Sequence, residues 1–149
     1  MGGHSGGPGN QNAAARRARS SDMQHKVLIV DDSKLARMVM ASAFRRLRPD
    51  WDLVEAGNAE AALQALSDAA PDIVLVDFNM PGTDGLELLA RIRVAQPGMP
   101  AAVVSANAQD EIIARTRELN AAFIAKPLTD ETLDAFLAGA ALRLKTKAK

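Results

Sequence analysis

The sequence contains no cysteine and no tyrosine, and aromatic residues make up only 3% of its 149 positions. The missing cysteine excludes a thiol nucleophile, a disulfide framework and thiolate-bound zinc, and it suits a reducing compartment. The scarcity of aromatics leaves no platform on which nucleic-acid bases could stack. No apolar run approaches the ~18 residues that a membrane-crossing helix needs, so no membrane span is expected. A secretory signal is absent too, because residues 1–22 hold five of the ten glycines and no apolar central stretch. These absences together point to a cytoplasmic protein.

Net charge is also lacking, with 18 basic against 18 acidic residues, but the balance is uneven along the chain. Arg16, Arg17 and Arg19 lie in a leader with no acid before Asp22, and Arg143, Lys145, Lys147 and Lys149 end the chain without one. Between Asp22 and Leu142, 11 basic residues face 18 acidic ones, a net of −7. An acidic body disfavours nucleic acid as a partner. The length suits one domain. The expected organisation is a disordered leader over 1–22, a single domain over 23–145 and a solvated basic tail over 146–149.

Within the body, short apolar runs alternate with amphipathic stretches. Val27–Val30, Trp51–Ala56, Ile73–Val76, Ala101–Val104 and Ala121–Ala125 read as strands, continuous in apolar character and so buried on both faces. Between them lie helical patterns. The first carries Ala36, Val39, Met40, Ala43, Phe44 and Leu47 as its expected core stripe and stops before Pro49. Asn58, Asp84 and Thr129 are placed to cap later helices, one runs from Ala108 to Leu119, and the last extends to about Leu144. Five strand–helix units predict an α/β fold: a five-stranded parallel sheet with helices on both faces. In such sheets, chemistry collects at the carboxyl ends of the strands.

The residues at those ends are Asp31 and Asp32 after the first strand, Asp77 after the third, Ser105 after the fourth, and Lys126-Pro127 after the fifth. Three adjacent carboxylates repel one another unless a cation neutralises them. Mg²⁺ suits a few carboxylates together with waters and a phosphate. A lysine and a hydroxyl beside such an ion supply what a transferring phosphoryl group needs. Asp77, alone at the end of a central strand, is the better nucleophile. Each element by itself has a plainer explanation: Asp-Asp-Ser as a strand end and helix cap, Asp77 and Ser105 as turn residues, Lys126-Pro127 as a constrained bond with a cis isomer possible. Their coincidence at successive strand ends carries the functional reading.

These motifs resemble the receiver domain of two-component response regulators over roughly Lys26 to Leu144. The matching stretches are Val27–Ser33, Val74–Gly85, Val104–Ala106 and Lys126-Pro127. The resemblance implies a flavodoxin-like (βα)5 fold and phosphoryl transfer to Asp77 from a histidine kinase or a histidine phosphotransfer protein. It further implies Mg²⁺ held by Asp32, Asp77 and the backbone carbonyl of Asn79, with Asp31 acting through water. Lys126, the Ser105 hydroxyl and the Ala106 backbone N–H would bind the phosphoryl oxygens. Asn79 and Asn107 occupy the positions that tune autodephosphorylation, and neither amide can act as a general base.

The resemblance also implies a switch in which Ser105 moves and Phe123 turns inward; plain core packing is the alternative for Phe123. The expected output face comprises the helix from Ala108, the strand at Ala121 and the final helix, in a monomer or a phosphorylation-dependent dimer. Leu35 and Met38 fall off the expected core stripe and are candidates for docking the phosphodonor, or else scattered surface residues. With only five residues after Leu144, the chain is expected to act alone, by protein contact. Two rivals remain. A phosphatase forming an aspartyl phosphate would want a second aspartate at position 79, where Asn stands. A receiver-like interaction module would usually lack part of the acidic triad or the lysine.

Overall fold

The computed structural model describes residues 24–147; the leader expected over 1–22 and residues 148 and 149 lie outside them. Five strands alternate with five helices: β1 Lys26–Val30, α1 Lys34–Leu47, β2 Asp52–Ala56, α2 Ala59–Ala69, β3 Ile73–Asp77, α3 Gly85–Ala95, β4 Ala101–Ser105, α4 Asp110–Glu118, β5 Ala122–Ala125 and α5 Asp130–Lys147. All neighbours in the sheet pair in parallel, in the order β2-β1-β3-β4-β5. The predicted fold class is the observed one.

Val74, Leu75 and Val76 of β3 and Ala102, Val103 and Val104 of β4 are buried throughout, as strands covered on both faces must be. The sheet splits the core into two layers. On one side Val27, Ile29, Ile73, Leu75 and Val104 meet Met40 and Phe44 of α1 and Leu133, Leu137 and Ala140 of α5. On the other side Leu28, Val30, Val74, Val76 and Val103 meet Ala62 of α2, Leu86, Leu89 and Ile92 of α3 and Ile112 of α4. Alternate residues of each strand thus serve opposite layers, the period-two rule of a strand.

Helix starts follow the cap residues. Ser33, Asn58 and Asp84 each accept a hydrogen bond from the backbone N–H three residues on, at 3.1, 2.7 and 2.9 Å. Thr129 accepts from Thr132 N at 3.1 Å, while the Thr132 hydroxyl accepts from Thr129 N at 3.2 Å, closing a reciprocal cap at α5. The last helix continues three residues beyond Leu144.

One part of the expected core is wrong. Val39 is 60% exposed, and Ala41 is buried in its stead. Met40 sits at the centre of the buried stripe, so its neighbours on either side lie ~100° away, and only one of them can turn toward the sheet. The smaller Ala41 is the neighbour that is buried, and Val39 joins Leu35 and Met38 on the outer face.

At the edge of the sheet away from Asp77, His25 packs edge-on against Trp51 with centroids 4.9 Å apart, and Arg48 lies 5.3 Å over the indole. Trp51 also meets Phe44 at 6.2 Å and closes the α1–α5 layer from below.

Candidate functional site

Strand register brings the site together. Val30 of β1 pairs with Val76 of β3, so Asp31, next after Val30, emerges beside Asp77 at the end of β3. Asp77 in turn pairs with Val104, and Ser105 pairs with Ala125, the residue before Lys126. Parallel pairing aligns all these carboxyl ends on one edge, as expected for an open α/β sheet.

Carboxylate oxygens of Asp31, Asp32 and Asp77 lie within 4.8 Å of one another. Asp31 and Asp77 are buried, at 2% and 3% exposure, whereas Asp32 faces solvent. Asp31 Oδ1 accepts from Ser33 N at 2.9 Å. Its Oδ2 is buried without a hydrogen-bond donor. The Asp31 carbonyl accepts from Arg37 Nη1 at 2.6 Å, and Arg37 Nε reaches Glu55 Oε1 at 3.2 Å, so α1 and β2 brace the backbone of the first aspartate.

Asp77 Oδ1 contacts Lys126 Nζ at 2.8 Å. Burial pushes the Asp77 carboxyl above its ordinary pKa; Lys126 opposes the shift, and the negative charges of Asp31 and Asp32 add to it. The orphaned Asp31 oxygen and the buried Asp77 carboxylate, balanced by a single ammonium, form with the exposed Asp32 a donor set that fits a hard divalent cation.

Ser105 is fully buried. Its hydroxyl accepts from Asn107 N at 2.9 Å, and its carbonyl accepts from Lys126 N at 3.0 Å. The Lys126-Pro127 peptide is cis. Ala106 and Asn79 lie exposed on the loops after β4 and β3. Phe123 is half-buried and packs against the α2–α4 layer. Beneath the site, Gly85 N donates to Phe78 O at 2.9 Å, and a Cβ at Gly85 would lie 2.9 Å from Phe78 Cα and closer still to the Asp77 carbonyl. Only glycine lets α3 approach the chain at Asp77 and Phe78 so closely.

Leu35 and Met38 are 70% and 57% exposed and line a groove of about 470 Å³ with Val39, Ser42 and Leu128. Arg46 and Asp130, paired at 2.8 Å, form part of its wall. The sequence reading missed Val39, Leu128 and Arg37. Val39 stands four residues after Leu35 and so shares its face, a signal present in the sequence. Leu128 carries no such signal, because its partners on α1 are distant in the chain; Arg37 lies six residues from Asp31 and 18 from Glu55, neither of them on its own helix.

The profile of the response regulator receiver domain matches residues 27–138. Among curated proteins, sporulation initiation phosphotransferase F of Bacillus subtilis is 33% identical over 115 residues, covering 76% of this chain and 91% of its own length. The positive alginate biosynthesis regulatory protein of Pseudomonas aeruginosa is 38% identical over 114 residues, covering 72% of this chain and 43% of its own. Several of the matched relatives are thus more than twice as long as the region they share with this chain. Among solved structures, a CheY-like receiver domain protein from Methanospirillum hungatei aligns with a TM-score of 0.76 at 22% identity, over 83% of this chain and 98% of that one. Vibrio cholerae CheY4 aligns at 0.72 with 24% identity, over 78% and 98%. With the parallel order β2-β1-β3-β4-β5 and a profile match running from the first strand into the last helix, the chain belongs to the response regulator receiver domains of two-component systems.

Proposed function

We propose that this receiver domain accepts a phosphoryl group on Asp77 from a phosphohistidine of a histidine kinase or a histidine phosphotransfer protein in the cytoplasm. An Asp77 carboxylate oxygen attacks phosphorus, the P–N bond breaks, and the imidazole leaves with its electron pair, giving an aspartyl phosphate. The observation that carries this reading is the buried Asp77 carboxylate, 2.8 Å from Lys126 and clustered with Asp31 and Asp32.

Asp32, Asp77 and the Asn79 carbonyl would hold Mg²⁺, with Asp31 acting through water, and the ion would neutralise charge on the carboxylates and the incoming phosphoryl oxygens. Lys126 compensates the phosphoryl charge. The Ser105 hydroxyl and the Ala106 N–H donate to the remaining oxygens. To do so, Ser105 gives up its bond with Asn107 N, and Phe123 takes up the space behind it. The α4–β5–α5 face then changes for a downstream protein. The apolar face of Leu35, Met38 and Val39 beside Leu128 receives the phosphodonor protein.

The test is Mg²⁺-dependent labelling by a small acyl phosphate, read by intact mass. The expected result is a gain of one phosphoryl group per chain, lost with a chelator and in Asp77→Asn. A chain that stays unlabelled is a binding module. One that turns over many equivalents is a phosphatase. Either result rejects the proposal.

A further inference from the structure

Arg37 of α1 has no part in the chemistry proposed above, yet its guanidinium is bonded to the backbone of the acidic loop. Its side chain is only 18% exposed. Nη1 donates to the Asp31 carbonyl at 2.6 Å, and Nε donates to Glu55 Oε1 of β2 at 3.2 Å. Arginine on a surface helix ordinarily turns its charged head to water. Here the planar fork sits between two elements, one edge on a carboxylate and the other on a carbonyl. Gly57, just after β2, leaves room for it, since a Cβ there would lie 3.1 Å from Nη1.

The carbonyl that Arg37 holds belongs to the peptide unit joining Asp31 to Asp32. That unit is planar, so fixing its oxygen fixes the direction in which the chain enters Asp32. The other polar groups of Asp31 are engaged as well: its N–H donates to Ala56 O at 3.1 Å, and Oδ1 accepts from Ser33 N at 2.9 Å. Only Oδ2 is left, buried and without a donor. Asp32 has no comparable support. It is exposed, and among the described residues no donor bonds its carboxylate. The placing of that carboxylate therefore falls to the backbone that carries it, and Arg37 holds that backbone.

We infer that Arg37 is a positioning residue for cation binding: seated on Glu55, it holds the Asp31–Asp32 peptide so that both carboxylates turn to one centre. The inference rests on the Mg²⁺ reading of the cluster given above. Charge alone predicts the opposite sign, because a guanidinium near a cation site repels the cation and its removal should tighten binding. Removing a support of the ligand frame should instead loosen binding, as loss of an outer partner of a metal ligand does.

Calorimetric titration of the whole chain with Mg²⁺ reads that sign directly. Arg37→Ala should weaken Mg²⁺ binding by about tenfold. Arg37→Lys keeps the charge but has no fork to span both partners, and should weaken binding by roughly threefold or more. Gly57→Val, which alters no charge and crowds the guanidinium, should weaken it by roughly twofold or more. Melting in chelator separates positioning from a merely structural role. A lowered midpoint with unchanged Mg²⁺ affinity overturns the inference, and so does equal or tighter binding in Arg37→Ala. Should Arg37→Ala fail to fold, Arg37→Lys and Gly57→Val decide by the same criterion. A wild type that binds no Mg²⁺ overturns the underlying reading itself, a failure visible before any variant is compared.

Discussion

Asp77 is a carboxylate held where water scarcely reaches it, 3% exposed, among two further acids. Its raised pKa fixes the sign of its effect on stability. A group that holds its proton more tightly when folded stabilises the fold below its unfolded pKa, and that contribution is lost as pH rises through the folded value. At neutral pH and without divalent cations, Asp77 therefore costs stability. Asp77→Asn should melt higher than the wild type in chelator, and the gap should close as pH falls toward 3.8, the ordinary value for aspartate. The relieved cost is of the order of 1 kcal/mol, about 4 °C in melting midpoint. A variant that melts lower at pH 7 would show that the Lys126 contact outweighs burial.

At the scale of elements, the first turn of α3 and the outer face of α1 bear most directly on function. Gly85 lets α3 start against the backbone of Asp77 and Phe78, where the atoms in the way of a Cβ belong to the main chain and cannot swing aside. Gly85→Ala should cost about 1–3 kcal/mol in denaturant unfolding. It should also slow labelling by acyl phosphate, since the strain falls on the carbonyl of Asp77, the proposed phosphoacceptor. On α1, Leu35→Asp should slow phosphotransfer from a donor protein while labelling by acetyl phosphate stays unchanged. Equal loss of both would mean that the substitution acts through the pocket and not through docking. The outer face of α1 was legible only in part: the spacing of Leu35 and Met38 marked it, but Val39 sat equally well on two stripes. The choice between Val39 and Ala41 depended on how α1 is rotated against β1 and β3, which residue spacing alone leaves free by about one position.

For the molecule as a whole, a cation held by the acidic cluster would couple stability to its concentration. A cation that binds only the folded chain stabilises it in proportion to the logarithm of its concentration, about 2.7 kcal/mol at 100 times Kd. Mg²⁺ should raise the melting midpoint of the wild type until it saturates, and Asp32→Asn should flatten the dependence. An equal response in both would place the ion elsewhere.

The residues themselves determined the alternation of strand and helix, the caps at Ser33, Asn58, Asp84 and Thr129, and the identity of Asp31, Asp32, Asp77, Ser105 and Lys126 as strand-end groups. These are local properties, fixed by side-chain size, branching and spacing along a few turns of chain. Only the tertiary structure decided that Lys126 meets Asp77 at 2.8 Å, that Arg37 braces Asp31, and that Leu128 completes a groove with α1. Those contacts depend on strand order, register and the way α1 packs, which bring together residues 49 positions apart at Asp77 and Lys126 and 84 apart at Arg46 and Asp130 on the wall of the groove, and no local pattern encodes such distances.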